Sequence, residues 1–342
     1  MSTINKTYDY INNSVSSESF VSYFIIVIIF IILIMAISYT IYMNNLDKSE
    51  CKYMDKLYSS IRAVIHSINI NDPTCSGKLY DYNIKSSYNA CSGGSYANDF
   101  VDICNLKSII KEGVRFLDFA IYSIDNKPVV ATSTTNNYYV KETFNYVDFK
   151  DVMTTIKNYA FTTGTAPNNK DPILLHLRIQ SNNTKIYNEL AKIFQGFDDI
   201  MLGKEYSYEN NGKNLGEVPL ISFMNKVVLI IDKTDKSFLD NEQLMTYINL
   251  TSSSNYLRVY RFSDFKNHAD MNELIYFNKK AMTIILPDED ANPSNLDATL
   301  CREAGCQMVG MRYQYNDTNL KENTEFFDKC GYAFCIKPSE LR

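Results

Sequence analysis

The sequence predicts an α/β protein built as a closed (β/α)8 barrel of the TIM type, preceded by a transmembrane helix and a stalk helix. Three observations carry this. After residue 80, eight strand-like runs occur, with helix-like runs between several of them. The strands read as near-continuous apolar runs in a chain with only 12 Gly, which suits parallel strands buried on both faces. Ahead of them, Phe20–Met43 has no charge, and roughly 20 apolar residues cross a bilayer.

The elements follow in order. Residues 1–19 form a short polar tail, and 20–43 are uncharged and mostly aliphatic and lack a cleavage site of the signal-peptide kind. Residues 44–79 form a stalk in which Met54, Leu57, Ile61, Val64, Ile65 and Ile68 recur at helical spacing over 46–69, before the turn signal Asn71-Asp72-Pro73. Such a stripe either packs on the main domain or serves a homodimer or protein partner. The barrel occupies 80–342, with strands expected at 82–87, 114–123, 127–134, 172–180, 226–233, 256–262, 281–287 and 305–314, and helices at 149–161 and 184–197. In a barrel of this kind, chemistry sits at the C-terminal ends of the strands.

Composition narrows the function. With 342 residues, 45% hydrophobic, and 8 Cys, the chain is neither disordered nor a disulfide-dense miniprotein. A net charge of −5 lacks the basic footprint of a nucleic-acid binder, so no nucleic-acid partner is expected. The expected partner is membrane lipid, through the anchor. Orientation is left open. Lys48, Lys52, Lys56 and Arg62 against Lys6 favour a cytoplasmic barrel, whereas the cysteines beyond the span and the sequons at Asn182, Asn249 and Asn316 favour the other side. Usage heavy in Asn, Ile, Lys and Tyr suggests AT-rich coding of a viral kind, for which a virion or intracellular membrane would suit the anchor. No P-loop, Rossmann fingerprint or zinc-protease motif occurs.

The runs YNIKSSYNACSGG, GVRFLDFAIYSIDNKPVVATSTT and DPILLHLRIQS resemble the X region of eukaryotic-type phosphoinositide-specific phospholipase C, a PLC-like phosphodiesterase. PSNLDATLCREAGCQMVGMRYQY and CGYAFCIKPSELR resemble its Y region. The resemblance implies a calcium-assisted phosphodiesterase. One His aids attack by the inositol 2-hydroxyl, another faces the leaving oxygen, and an Asn with carboxylates holds calcium.

Carried over position by position, most of that chemistry is missing. Tyr88 and Thr132 stand where the two histidines belong. Among the metal positions, Asn89 is kept and Asp118 replaces Glu, but Ala120 and Arg178 stand where carboxylates are expected. The ring-phosphate and inositol positions fall near Ile230, Asp232, Ile284 and Leu286. Arginine cannot become a metal ligand, so Arg178 is expected to replace the cation itself, paired with Asp118, and calcium is expected to be lost.

The resemblance also demotes zinc at Cys301-x4-Cys306 and Cys330-x4-Cys335, since family members carry buried thiols there; disulfide pairing stays open. His66 is expected on the stalk, His268 in a solvated stretch, and His176 facing into the barrel. The reading is a membrane-anchored pseudoenzyme with a binding or structural role. The alternatives are an active phosphoric diester hydrolase on phosphoinositide-type lipids, rebuilt around His176, Asp118 or Tyr88, and a headgroup-binding module without turnover.

Overall fold

A computed structural model describes residues 17–135, 139–234, 236–289 and 294–342, so most of the expected polar tail lies outside the described residues. The chain divides into two compact units, Met1–Ser49 and Glu50–Arg342. Helix α1 (Ser17–Leu57) makes up the described part of the first and continues into the second. Its most apolar window reaches a mean hydropathy of 3.2 with 0% of it buried, long and apolar enough to cross a membrane.

The expected stalk helix over 46–69 is not a separate element. α1 ends at Leu57, and the residues beyond it leave the helix. Met54, Ile65 and Ile68 are nevertheless buried, because they pack on the barrel unit. Up to Leu57 the helical spacing is met within α1, and beyond it Ile65 and Ile68 are buried by tertiary contacts without a helix. His66 is held in this segment by a backbone bridge to Tyr332.

The second unit is a near-closed barrel of eight parallel strands in the order β7-β6-β5-β2-β1-β10-β9-β8. The strands are β1 (Tyr82–Ser87), β2 (Phe116–Ile124), β5 (Ile173–Ile179), β6 (Val227–Ile231), β7 (Leu250–Thr251), β8 (Leu257–Arg261), β9 (Met282–Leu286) and β10 (Met308–Met311). Three strands lie off the ring. β3 (Lys127–Val130) folds back antiparallel on β2 and pairs with β4 (Val147–Asp148), and β11 (Phe334–Ile336) runs antiparallel to β1.

Two expectations are therefore corrected. The run at 127–134 is a hairpin arm, because only Asp125-Asn126 separates it from β2, both at positive φ, and so short a turn can only join antiparallel strands. The missing barrel strand is β7, two residues long and too short for a periodicity signal. The ring is also not fully closed. Among the described residues no ladder joins β7 to β8.

Helices cover the outside. α2 (Ile103–Lys111) is capped by Asp102, whose carboxylate accepts from Cys104 N, and buries Leu106, Ile109 and Ile110. α3 (Phe149–Thr155) continues into a π turn, and α4 (Lys185–Gly196) buries Ile186, Leu190 and Phe194, spaced by four on one face. α5 (Thr318–Cys330) starts at Asp317 and ends at Gly331, whose φ of 80° suits a residue without Cβ.

Strand register then sets what lies inside. Phe116, Leu174 and Val228 are neighbours across β2, β5 and β6 and form a dry floor, each worth about 2 kcal/mol of burial. One inward step up, Asp118, His176 and Ile230 align, and above them Ala120 pairs with Arg178. Sequence alternation alone thus delivers a charged layer onto an apolar plug near the C-terminal ends of the strands.

Candidate functional site

Asp118 is fully buried and carries the cluster. Arg178 Nε donates to Oδ1 and Oδ2 of Asp118 at 3.0 and 3.2 Å, and its Nη2 donates to Oδ2 at 2.9 Å. The same Nη2 donates to Asn89 Oδ1 at 2.5 Å. His176 Nδ1 lies 2.8 Å from Asp118 Oδ1 and stacks on Phe116, which fixes the ring. Asn89 can turn its amide inward because the chain adopts a left-handed φ of 47° there, which Asn tolerates, and its own N–H donates to Asp118 Oδ2.

The electrostatics follow. Burial alone would raise the Asp118 carboxyl, but the Arg178 charge and the bonds from His176 and Arg178 outweigh it and hold the group well below the usual carboxylate range. Tyr88, also buried, has Arg178 4.7 Å from its ring centroid and accepts from Arg261 Nη1 at 3.2 Å. Burial pushes its phenol up, yet the two arginines prevail and bring it below its ordinary value. Thr132 donates to Tyr96 O at 3.0 Å, so its hydroxyl is committed to the loop and not to the cluster.

These residues do not fit a calcium ion. A calcium site needs about six to eight oxygens, whereas here both Asp118 oxygens and Asn89 Oδ1 receive hydrogen bonds from Arg178. The side chain paired with Arg178 is Ala120, which offers no ligand atom. Among the described residues, the one group of possible metal ligands is Cys51, Asp102 and Cys104, and those cysteines are bonded to each other.

Above the cluster lies a cavity of about 750 Å³ lined by Arg178, Gln180, Asp232, Lys236, Arg261 and Leu286, among others. Of the positions expected to hold ring phosphates and inositol, Asp232 and Leu286 reach this cavity. Ile230 and Ile284 are wholly buried in the apolar barrel interior, where neither can meet a ligand. Two cations at this cavity were missed by sequence reasoning, Lys236 and Arg261, and Arg261 at the end of β8 is the one that touches the cluster. It bonds to Tyr88 and to Pro287 O, and pairs with Glu289. Its signal was the alternation of YLRVYRF, which aims Val259 and Arg261 at the same side.

The zinc expectation set aside above has no counterpart in the geometry. Cys301 and Cys306 are free and buried, while Cys330 is bonded to Cys335. His268 packs edge-on against Tyr260, away from the cluster.

Comparison with known proteins settles the family. The model of the phosphatidylinositol-specific phospholipase C X domain matches residues 75–234, and that of the Y domain matches 225–340. The chain belongs to the phosphatidylinositol-specific phospholipase C family. The barrel superposes on the crystal structure of L. pealei PLC21 with a TM-score of 0.64 at 18% identity, covering 81% of this chain and 39% of that one. The S. officinalis PLC21 structure gives 0.64 at 17% identity, again covering 81% and 39%. A Choristoneura biennis entomopoxvirus sequence named DNA polymerase is 27% identical over 166 residues, 46% of this chain and 17% of that one. The chain thus spans well under half the length of each of these three relatives, and what it shares with the two PLC21 structures is the fold of the phospholipase C barrel.

Proposed function

We propose that this protein is a membrane-anchored phospholipase C-like barrel that has given up calcium-dependent phosphodiester cleavage and serves a binding or structural role. The observation that carries the reading is the guanidinium of Arg178, hydrogen-bonded to Asp118 and Asn89, which supplies a fixed positive charge where the family holds its cation. With Tyr88 and Thr132 in place of the two imidazoles, proton transfer worth about 10² to 10⁴ in rate has no imidazole at either family position. Residues 20–43 anchor the chain. The bonded pairs Cys51–Cys104 and Cys330–Cys335 support an oxidising compartment for the barrel. The partial entomopoxvirus match supports a viral source, and with it a virion or intracellular membrane.

A hydrolysis assay on phosphatidylinositol and its phosphates, with and without calcium, tests the reading in the full-length protein, together with calorimetric calcium titration. No turnover and no micromolar calcium binding are expected. A second reading, an active phosphoric diester hydrolase, is favoured by the lowered Tyr88 phenol and by the Asp118–His176 pair. Calcium-independent turnover abolished by Tyr88→Phe would establish it in place of the first. Arg178, Lys236 and Arg261 around the cavity also suit anionic headgroups without turnover, which vesicle sedimentation reads directly.

A further inference from the structure

The cavity above Arg178 is lined by three basic side chains, Arg178, Lys236 and Arg261, and by two acidic ones, Asp232 and Asp264. What a ligand meets there depends on which of these charges are already matched. Arg178 is paired with Asp118 and bonded to Asn89. Arg261 is paired with Glu289, and it donates to Pro287 O at 2.8 Å and to Tyr88 Oη at 3.2 Å. Each guanidinium has its own carboxylate, so neither adds net positive charge to the cavity.

The other three charges are not matched in this way. Asp232 directly follows β6 and is tied through one oxygen. Its Oδ1 accepts from Thr234 N at 2.8 Å, from Thr234 Oγ1 at 2.6 Å and from Ser252 Oγ at 3.1 Å. Among the described residues nothing donates to its Oδ2. Burial pushes this carboxyl up, but the nearby His176 and the three bonds outweigh it and hold the group below its ordinary value, so it is ionised at neutral pH. Asp264 lies on the short helix Phe262–Lys266 that follows β8. Among the described residues, neither its side chain nor that of Lys236 makes a hydrogen bond or an ion pair.

The unmatched charge at the cavity is therefore two carboxylates against one ammonium. A polyanion would meet its own sign at Asp232, close to where the resemblance expects contacts to ring phosphates, and like charges repel strongly so near a protein interior. An ammonium N–H instead finds in Asp232 Oδ2 an ionised acceptor already fixed in place through Oδ1, and charge-assisted bonds of this kind are the strong ones. Lys236 supplies a point charge for a phosphate on the same ligand. A quaternary ammonium has no N–H to donate and gains less from Oδ2.

We propose that the cavity takes a zwitterion carrying a primary ammonium and a phosphate, the ammonium at Asp232 and Asp264 and the phosphate at Lys236, in preference to an inositol phosphate. This deepens the binding role proposed above and rests on it. A phosphoethanolamine lipid headgroup and the free phosphoethanolamine ester share this chemistry, and the experiment separates them.

Isothermal titration calorimetry at neutral pH, on the full-length protein in a maltoside detergent, compares O-phosphoethanolamine, phosphocholine and myo-inositol 1-phosphate. Phosphoethanolamine is expected to bind at least about tenfold tighter than either of the others. Asp232→Asn keeps Oδ1 as an acceptor and is expected to weaken phosphoethanolamine about tenfold without weakening inositol 1-phosphate. Asp264→Asn, at an exposed site, is expected to weaken phosphoethanolamine about threefold, and it carries the test should Asp232→Asn not fold. Equal or tighter binding of inositol 1-phosphate, binding of none of the three compounds, or unchanged phosphoethanolamine affinity in the folded variants overturns the proposal. Dihexanoyl phosphatidylethanolamine below its micellar concentration then separates the sources. Tighter binding than the free ester assigns the site to a lipid headgroup, equal or weaker binding assigns it to a free phosphomonoester, and both uphold the proposal. Phosphatidylinositol hydrolysis is measured in parallel. Turnover overturns the binding role and this proposal with it, whereas a preference for inositol 1-phosphate without turnover overturns this proposal alone.

Discussion

Replacing Arg178 with Met tests the central pair most directly. The change keeps an unbranched, though shorter, side chain and removes its charge from a site where Arg178 is 5% and Asp118 0% exposed. Asp118 would lose every bond from Arg178, and Asn89 Oδ1 would lose its donor, leaving His176 Nδ1 and the Asn89 N–H. Stranding a buried carboxylate in this way costs about 3–5 kcal/mol.

The pH dependence has a defined sign. In the native protein the Asp118 carboxyl lies well below its unfolded value of about 3.9, so its contribution is fully present above that pH and is lost as pH falls further. In the variant, burial without Arg178 pushes the carboxyl up, so stability falls as pH rises through the new value. The deficit is therefore larger at pH 7.5 than at pH 4.5. Urea unfolding of the full-length protein in detergent, followed by near-ultraviolet dichroism of its tyrosines, measures both. Asp118→Asn, alone and combined with Arg178→Met, completes a double-mutant cycle, with a coupling of about 2 kcal/mol or more expected. A loss below about 1 kcal/mol at pH 7.5, or an equal loss when Arg178→Met is made on top of Asp118→Asn, would refute the argument.

Other predictions concern separate features. Arg178→Glu combined with Ala120→Asp restores carboxylates around Asn89 and Asp118, and calcium is expected to raise the melting temperature of that variant and not of the parent. Asp171, whose carboxyl burial pushes up to about 6, binds protons more tightly folded than unfolded. Stability should fall by about 2 kcal/mol between pH 4 and 7, and Asp171→Asn should flatten that slope in urea titrations. Gly113 has a φ of 77°, and a Cβ there would sit 3.0 Å from Ile65 Cγ2 and 3.1 Å from Pro167 Cγ. Gly113→Ala should therefore cost about 1–2 kcal/mol by denaturant unfolding. Asn249 is wholly buried and bonds to Leu229 N and Tyr206 O, so a glycosidase mobility shift should trace to Asn182 or Asn316 and persist in Asn249→Gln.

Much of the fold was legible because barrel strands are short apolar runs whose period is local. The hairpin arm and β7 escaped for opposite reasons. β3 has the composition of a barrel strand but is turned back by a two-residue loop, and β7 is held by β6 with almost no sequence signature. The stalk misled because a buried stripe at helical spacing does not require a helix once the barrel supplies its packing partners. At the site, Arg178, Asp118 and Asn89 could be named from motif positions. Arg261 was not, because it lies outside the motif runs; alternation in YLRVYRF set only its side of the strand, and its bond to Tyr88, 173 positions away, is a tertiary contact.

By itself the sequence determined the apolar span and the parallel barrel class, since composition and period are properties of neighbouring residues, while the resemblance to the phospholipase C X region implied a guanidinium and a methyl group where two carboxylates are expected. Only the tertiary structure decided that Arg178 closes on Asp118, that the ring stays open between β7 and β8, and that Cys51 is bonded to Cys104. Each of these depends on strand register and on contacts between distant segments, where a shift of one residue would turn Arg178 from the barrel interior to its outer face.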